Sequence, residues 1–86
     1  MEKEIGKVVH YFDKAGVAVV KLSGSVAVGD ALKIKKGESE FTDIVQSMQI
    51  DHEPVTSAQA GQEVAVKISQ KTKEGASVSK VEENNQ

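Results

Sequence analysis

The chain has 86 residues and a formal net charge of −2, with 13 acidic residues against 11 basic ones, all of them lysine. At this length it makes one small domain burying only roughly 60–65% of its unfolded surface, and at 38% hydrophobic and 28% charged it has the composition of a folded domain, not a disordered tail. Lack of cysteine excludes disulfides, thiolate metal sites and cysteine nucleophiles, while the net charge gives no global pull toward nucleic acid and the missing arginine argues against specific base readout.

The aromatics are Tyr11, Phe12 and Phe41, so the interior must be built from Val, Ile, Leu and Ala. No apolar run approaches the ~20 residues needed to span a bilayer, and the acidic start Met1-Glu2-Lys3-Glu4 is not that of a signal peptide. A soluble, cytoplasmic protein is expected.

Ile5 to Phe12 reads as the first strand, closed by the polar, glycine-ended turn Asp13–Gly16. Val17–Leu22 is almost continuously apolar and β-branched, which predicts a strand buried on both faces or one passing through the middle of a closed sheet. Ser23-Gly24-Ser25 then leads into the stretch that organises the chain, Val26-Ala27-Val28-Gly29-Asp30-Ala31-Leu32-Lys33-Ile34. A Gly-Asp turn opens a strand with Leu32 and Ile34 on one face and Lys33 and Lys35 on the other, a split that only the two-residue period of a strand produces.

Lys36-Gly37-Glu38-Ser39 turns the chain back. Phe41–Ile50 predicts one long strand whose apolar parity changes midway, the mark of a β-bulge at a corner. Proline should end it near His52-Glu53-Pro54, and Val55–Gly61 leaves room for a helical turn around Ala58. Val64-Ala65-Val66-Lys67-Ile68 alternates cleanly with Lys67 outward, and a last strand carries Val78 and Val81. About six short strands with turn signals every 8–12 residues predict a small closed or sandwich β-fold. The expected organisation is one domain over residues 1–81 and a polar, disordered tail over 82–86.

The order and spacing of Ile5-Gly6-Lys7-Val8, Val26-x-Val28-Gly29-Asp30-x-Leu32-x-Ile34, and Val45 to Val55 running on through Ala60-Gly61 to Val64-Ala65-Val66 resemble the second domain of the EF-Tu-type translational GTPases. The opening strand Val8-Val9-His10-Tyr11-Phe12 is also similar to the small barrel at the C-terminus of collagenase-like peptidases. The resemblance implies a six-stranded, closed antiparallel β-barrel of the translation-protein type. Translation factors usually carry Gly-Arg where this chain has Lys21-Leu22, and glycine where it has Ala65. No phosphate-binding loop of the G-x-x-x-x-G-K-[ST] type occurs, so no GTP is expected.

Catalytic chemistry finds little to stand on. His52 lies between Asp51 and Glu53, but neighbours on a strand face opposite ways and do not converge on one ion. His10 shares parity with Val8 and Phe12, which predicts a part-buried structural residue. Ser23, Ser25, Ser39 and Ser47 lack any nucleophile-elbow or triad context. The chain is therefore expected to be no enzyme and to need no cofactor or metal. The polar set of interest is Lys33, Lys35, Lys36, Lys67, Lys71 and Lys73, which would merge into one positive stripe if their strands were neighbours. These residues and the resemblance point first to a non-catalytic module contacting tRNA, rRNA or the ribosome. The alternative is a protein-interaction module docking onto a separately encoded enzyme such as a peptidase.

Overall fold

A computed structural model describes residues 2–81; the expected tail over 82–86 lies outside the described residues. The described chain is all β, with ten strands: β1 (Glu2–Phe12), β2 (Val17–Leu22), β3 (Val26–Ala27), β4 (Ala31–Lys36), β5 (Ser39–Ile44), β6 (Met48–Ile50), β7 (Glu53–Val55), β8 (Ser57–Ala58), β9 (Glu63–Lys67) and β10 (Ser77–Val81). Eight form one antiparallel sheet in the order β5-β4-β10-β1-β2-β9-β6-β7, and β3 pairs with β8 separately.

Chain continuity decides how this sheet is shaped. β5 stands at one edge, yet β6, six places away in the order, follows it after only Val45-Gln46-Ser47. Laid flat, six strand spacings would separate the two by about 29 Å. The chain from Ile44 to Met48 spans at most about 14 Å. The sheet therefore curls until β6 comes within reach of β5. The hydrogen-bonded ladder itself stays open between them, so the sheet is not the closed barrel expected: β5 and β6 are joined by a covalent link and not by pairing. Val45 anchors the link by donating its N–H to the Asp30 carbonyl (3.0 Å) and accepting from Gly29 N–H (2.9 Å). The parity change read in Phe41–Ile50 is this three-residue interruption, which lets Val45 and Met48 both point inward.

The inward faces form one aliphatic core that includes Ile5, Val8, Val20, Leu22, Leu32, Ile34, Val64, Val66 and Val78, with Tyr11, Phe41, Ile50 and Val55 packed against it. No polar side chain is buried among the described residues, so cohesion rests on apolar burial and backbone pairing. β2 alternates: Ala18, Val20 and Leu22 are buried while Lys21 is exposed, so of the two readings of this run the strand is not buried on both faces but runs inside the sheet, between β1 and β9. The organising stretch folds as read. Asp30 N–H bonds back to the Ala27 carbonyl at 3.0 Å across a turn whose third residue, Gly29, has φ 98°, where glycine carries no steric penalty.

Three local expectations are corrected. Register shifts in β1, between Glu4 and Gly6 against β10 and between Val8 and His10 against β2, insert extra residues and rotate the strand. Val8 is buried but His10 is turned out, instead of part-buried as its parity implied. Ala58 lies in β8, paired with Val26, so the segment holds a strand and no helical turn. The strand does end before this segment, at Ile50, but a turn and not the proline ends it. Asp51 and His52, both at positive φ (52° and 68°), form a two-residue hairpin turn, and Pro54 sits in β7 at the sheet's edge, where its missing N–H costs least.

Gly6 marks the closest approach of β1 and β2. A methyl group there would lie 2.5 Å from the Lys21 carbonyl oxygen and 2.8 Å from Val20 Cγ1, and the first of these is backbone that cannot easily yield. Gly6→Ala should therefore cost about 2–3 kcal/mol through overpacking. Urea denaturation followed by far-UV circular dichroism measures this; a loss below about 0.5 kcal/mol would contradict the packing described.

Candidate functional site

The curled sheet determines which outward side chains meet. Lys33 and Lys35 stand on β4 and Lys67 on β9, and β10, β1 and β2 lie between those strands. The six lysines therefore do not merge into a single stripe, because the strand order separates them. Lys33 lies 3.9 Å from Glu40 across the β4–β5 pair and is only half-exposed. Lys35 faces solvent on the outer surface beside Lys7 of β1. Lys67 is exposed at the end of β9, opposite Val17.

The remaining three lysines do come together. Lys36 at the end of β4, with Lys71 and Lys73 of the loop between β9 and β10, rims a cleft of about 210 Å³. Its floor is Ile34 and Phe41, partners across the β4–β5 ladder, and the hydroxyl residues Ser39 and Thr72 complete the wall. The cleft lies between β5 and the loop, on the side where the ladder is open. Its apolar floor is thus half-buried Phe41 with buried Ile34 behind it, a pairing no single strand reveals.

One carboxylate clasps the start of the loop, whose two ends are also held by backbone bonds from Ile68 N–H to the Gly16 carbonyl (2.9 Å) and from Gly75 N–H to the Val8 carbonyl (2.7 Å). Asp43 Oδ2 accepts from Ser69 N–H at 2.6 Å and from Ser69 Oγ–H at 2.9 Å, while Oδ1 accepts from the Ile44 N–H at 2.9 Å. This clasp ties the start of the lysine-bearing loop to β5 across 26 positions of sequence. The carboxylates nearby are mostly turned elsewhere. Glu40 points away from Phe41 by strand alternation and reaches Lys33, and Glu74 lies 3.1 Å from His10 Nδ1. Asp13 approaches Lys71 at 3.8 Å, but both side chains are largely exposed and such a pair is weak. Neither Lys36 nor Lys73 takes part in an ion pair among the described residues.

The histidines sit on different elements. His10 packs edge-on to Phe12, ring centroids 4.4 Å apart, and His52 lies in the β6–β7 turn. Among the described residues no three His, Asp or Glu side chains are placed to hold a metal ion. What the cleft can do is bind: three lysines around an apolar floor suit a ligand that is anionic at its ends and apolar in its middle. Sequence reasoning missed Phe41, Thr72 and Asp43 as parts of this site. The scarcity of aromatics was the one signal that could have singled out Phe41.

No family model matches the chain. It is 38% identical over 73 residues to an uncharacterized protease of Methanocaldococcus jannaschii, a match covering 84% of this chain and 18% of the protease. The chain thus spans less than a fifth of the length of that relative. Among solved structures it superimposes on the C-terminal domain of a Geobacillus thermoleovorans protein assigned to the U32 peptidases, with a TM-score of 0.86 over 93% of each chain at 19% identity. The selenomethionine variant of the same domain gives a TM-score of 0.83, covering 88% of this chain and 96% of that one, also at 19% identity. At that identity the likeness is one of backbone, and the fold is the one seen at the C-terminus of such peptidases. The similarity to collagenase-like peptidases is thus the part of the sequence resemblance that gains support, whereas neither relative carries a translation factor's name.

The cleft's own wall can be tested through its clasp. Asp43→Ala should release the 69–73 loop, raising amide exchange at Ser69 by about tenfold or more, for a global stability loss of only about 1 kcal/mol. Hydrogen exchange followed by NMR reads both, with the Val64 amide as the core reference. Unchanged protection at Ser69 would contradict the clasp.

Proposed function

We propose that this chain is a non-catalytic docking module that works in the cytoplasm with an enzyme of the U32 peptidase type. One observation carries this: a segment related to nearly the whole chain makes up 18% of a much longer protease, so the unit accompanies a larger enzyme body. Backbone likeness to a C-terminal peptidase domain supports the same view. In this proposal the curled sheet is a six-stranded barrel, counting residues 39–50 as one bent strand and treating β3, β7 and β8 as additions to its ends.

Contact with tRNA, rRNA or the ribosome is the weaker proposal. It has the cleft lysines in its favour, but lacks the arginines and interleaved aromatics of single-strand binders. Translation-factor positions that would meet RNA are also replaced here, at Lys21-Leu22 and Ala65.

Sedimentation velocity tests the docking role. After nuclease treatment, the purified chain mixed at about 10 µM with a U32-type enzyme from the same genome should co-sediment with it, as a micromolar complex requires. Two independent boundaries at that concentration would overturn the proposal.

A further inference from the structure

From the cleft at the open side of the sheet we infer a peptide-docking site, its occupant an extended segment of the partner enzyme with one bulky apolar residue flanked by Asp or Glu. This rests on the docking role proposed above and gives it a contact point. Size comes first. At about 210 Å³ the cleft falls below the roughly 300 Å³ where cofactor and small-molecule sites begin, so it takes a single side chain. Chemistry comes second. Half-buried Phe41, backed by buried Ile34, offers that side chain an apolar seat, and desolvating it is favourable.

Charge then selects what lies on either side of the anchor. Lys36, Lys71 and Lys73 surround the seat, in a chain whose net charge is negative. Glu40 and Glu74 are drawn off to Lys33 and His10, and Glu38, exposed in the turn after Lys36, lines no part of the cleft. Lys36 is itself held over the loop: its Nζ would lie 3.0 Å from a Cβ placed at Gly75, so glycine there keeps the space its ammonium group occupies. A carboxylate on each side of the anchor would meet these ammonium groups, and Ser39 and Thr72 can hydrogen-bond its backbone. A nucleic acid would satisfy the lysines too, but one aromatic seat gives successive bases no platform.

The experiment is an NMR titration of the chain with an acetylated, amidated pentapeptide that has a central leucine and two aspartates on each side. Two controls accompany it: the same peptide with serine in the centre, and decauridylate. Saturable shifts at Lys36, Phe41, Thr72 and Lys73 below about 1 mM peptide are expected. The serine peptide should bind about tenfold more weakly, and so should the leucine peptide to the doubly substituted Lys36→Glu, Lys73→Glu chain. Both substitutions are at exposed positions, and thermal unfolding checks that the variant folds; Lys73→Ala alone serves if it does not. No saturation by the leucine peptide would overturn the assignment. So would equal affinity for the serine peptide, equal affinity in the double variant, or tighter binding of decauridylate.

The same double variant in the sedimentation assay keeps the two proposals separable. Loss of the enzyme complex supports the cleft as the contact. A complex retained by the variant leaves the docking role standing and overturns the cleft as its contact. Failure of the unsubstituted chain to form a complex, with leucine-peptide binding intact, overturns the docking role while supporting a peptide site.

Discussion

A link of three residues, Val45 to Ser47, has to join strands that the ladder places six positions apart, and the rest of the molecule follows from meeting that constraint. The sheet can do so only by curling, and curling gives an 86-residue chain an inside. The hydrogen bonds of Val45 to the Asp30 carbonyl and from Gly29 fix where the link crosses. Because β5 and β6 are joined along the chain and not paired side by side, one seam stays without a ladder. Phe41 is half-buried there, with Ile34 fully buried behind it. The most reactive-looking surface of the module is thus a by-product of how it closes.

What lines the inside is equally constrained. With few aromatics and no buried polar side chain among the described residues, the core consists of similar-sized aliphatic groups that could pack in several ways. Uniqueness has to come from the backbone. Two register shifts in β1, the crossing at Gly6 and the turn at Gly29 each fix a position that a run of valines would leave free. This is stiffness obtained from geometry.

The parts of the fold legible in the sequence were those decided locally. Leu32 and Ile34 against Lys33 and Lys35, or Val64 and Val66 against Lys67, alternate within a few residues, and the strand period places them whatever the rest of the chain does. His10 was misplaced because the extra residue in β1 exists only in relation to β2. Ala58 resembled a helical turn until Val26 supplied its strand partner. The lysines posed the same problem on a larger scale. Which of them meet depends on strand order, and the loop that brings Lys71 and Lys73 to Lys36 is clasped by Asp43, which reaches Ser69, 26 positions away. No window of sequence contains that contact.

Pro54 carries a last implication. It occupies the outermost strand, β7, which is three residues long and offers no continuous row of donors to an incoming chain. Copies of the module therefore cannot stack onto one another from that side to propagate a fibre. In the eight-stranded sheet, recruitment of a further strand is left mainly to the rim of β5. Growth from both sides of that sheet at once is thereby disfavoured, which limits a small valine-rich domain to adding strands in one direction.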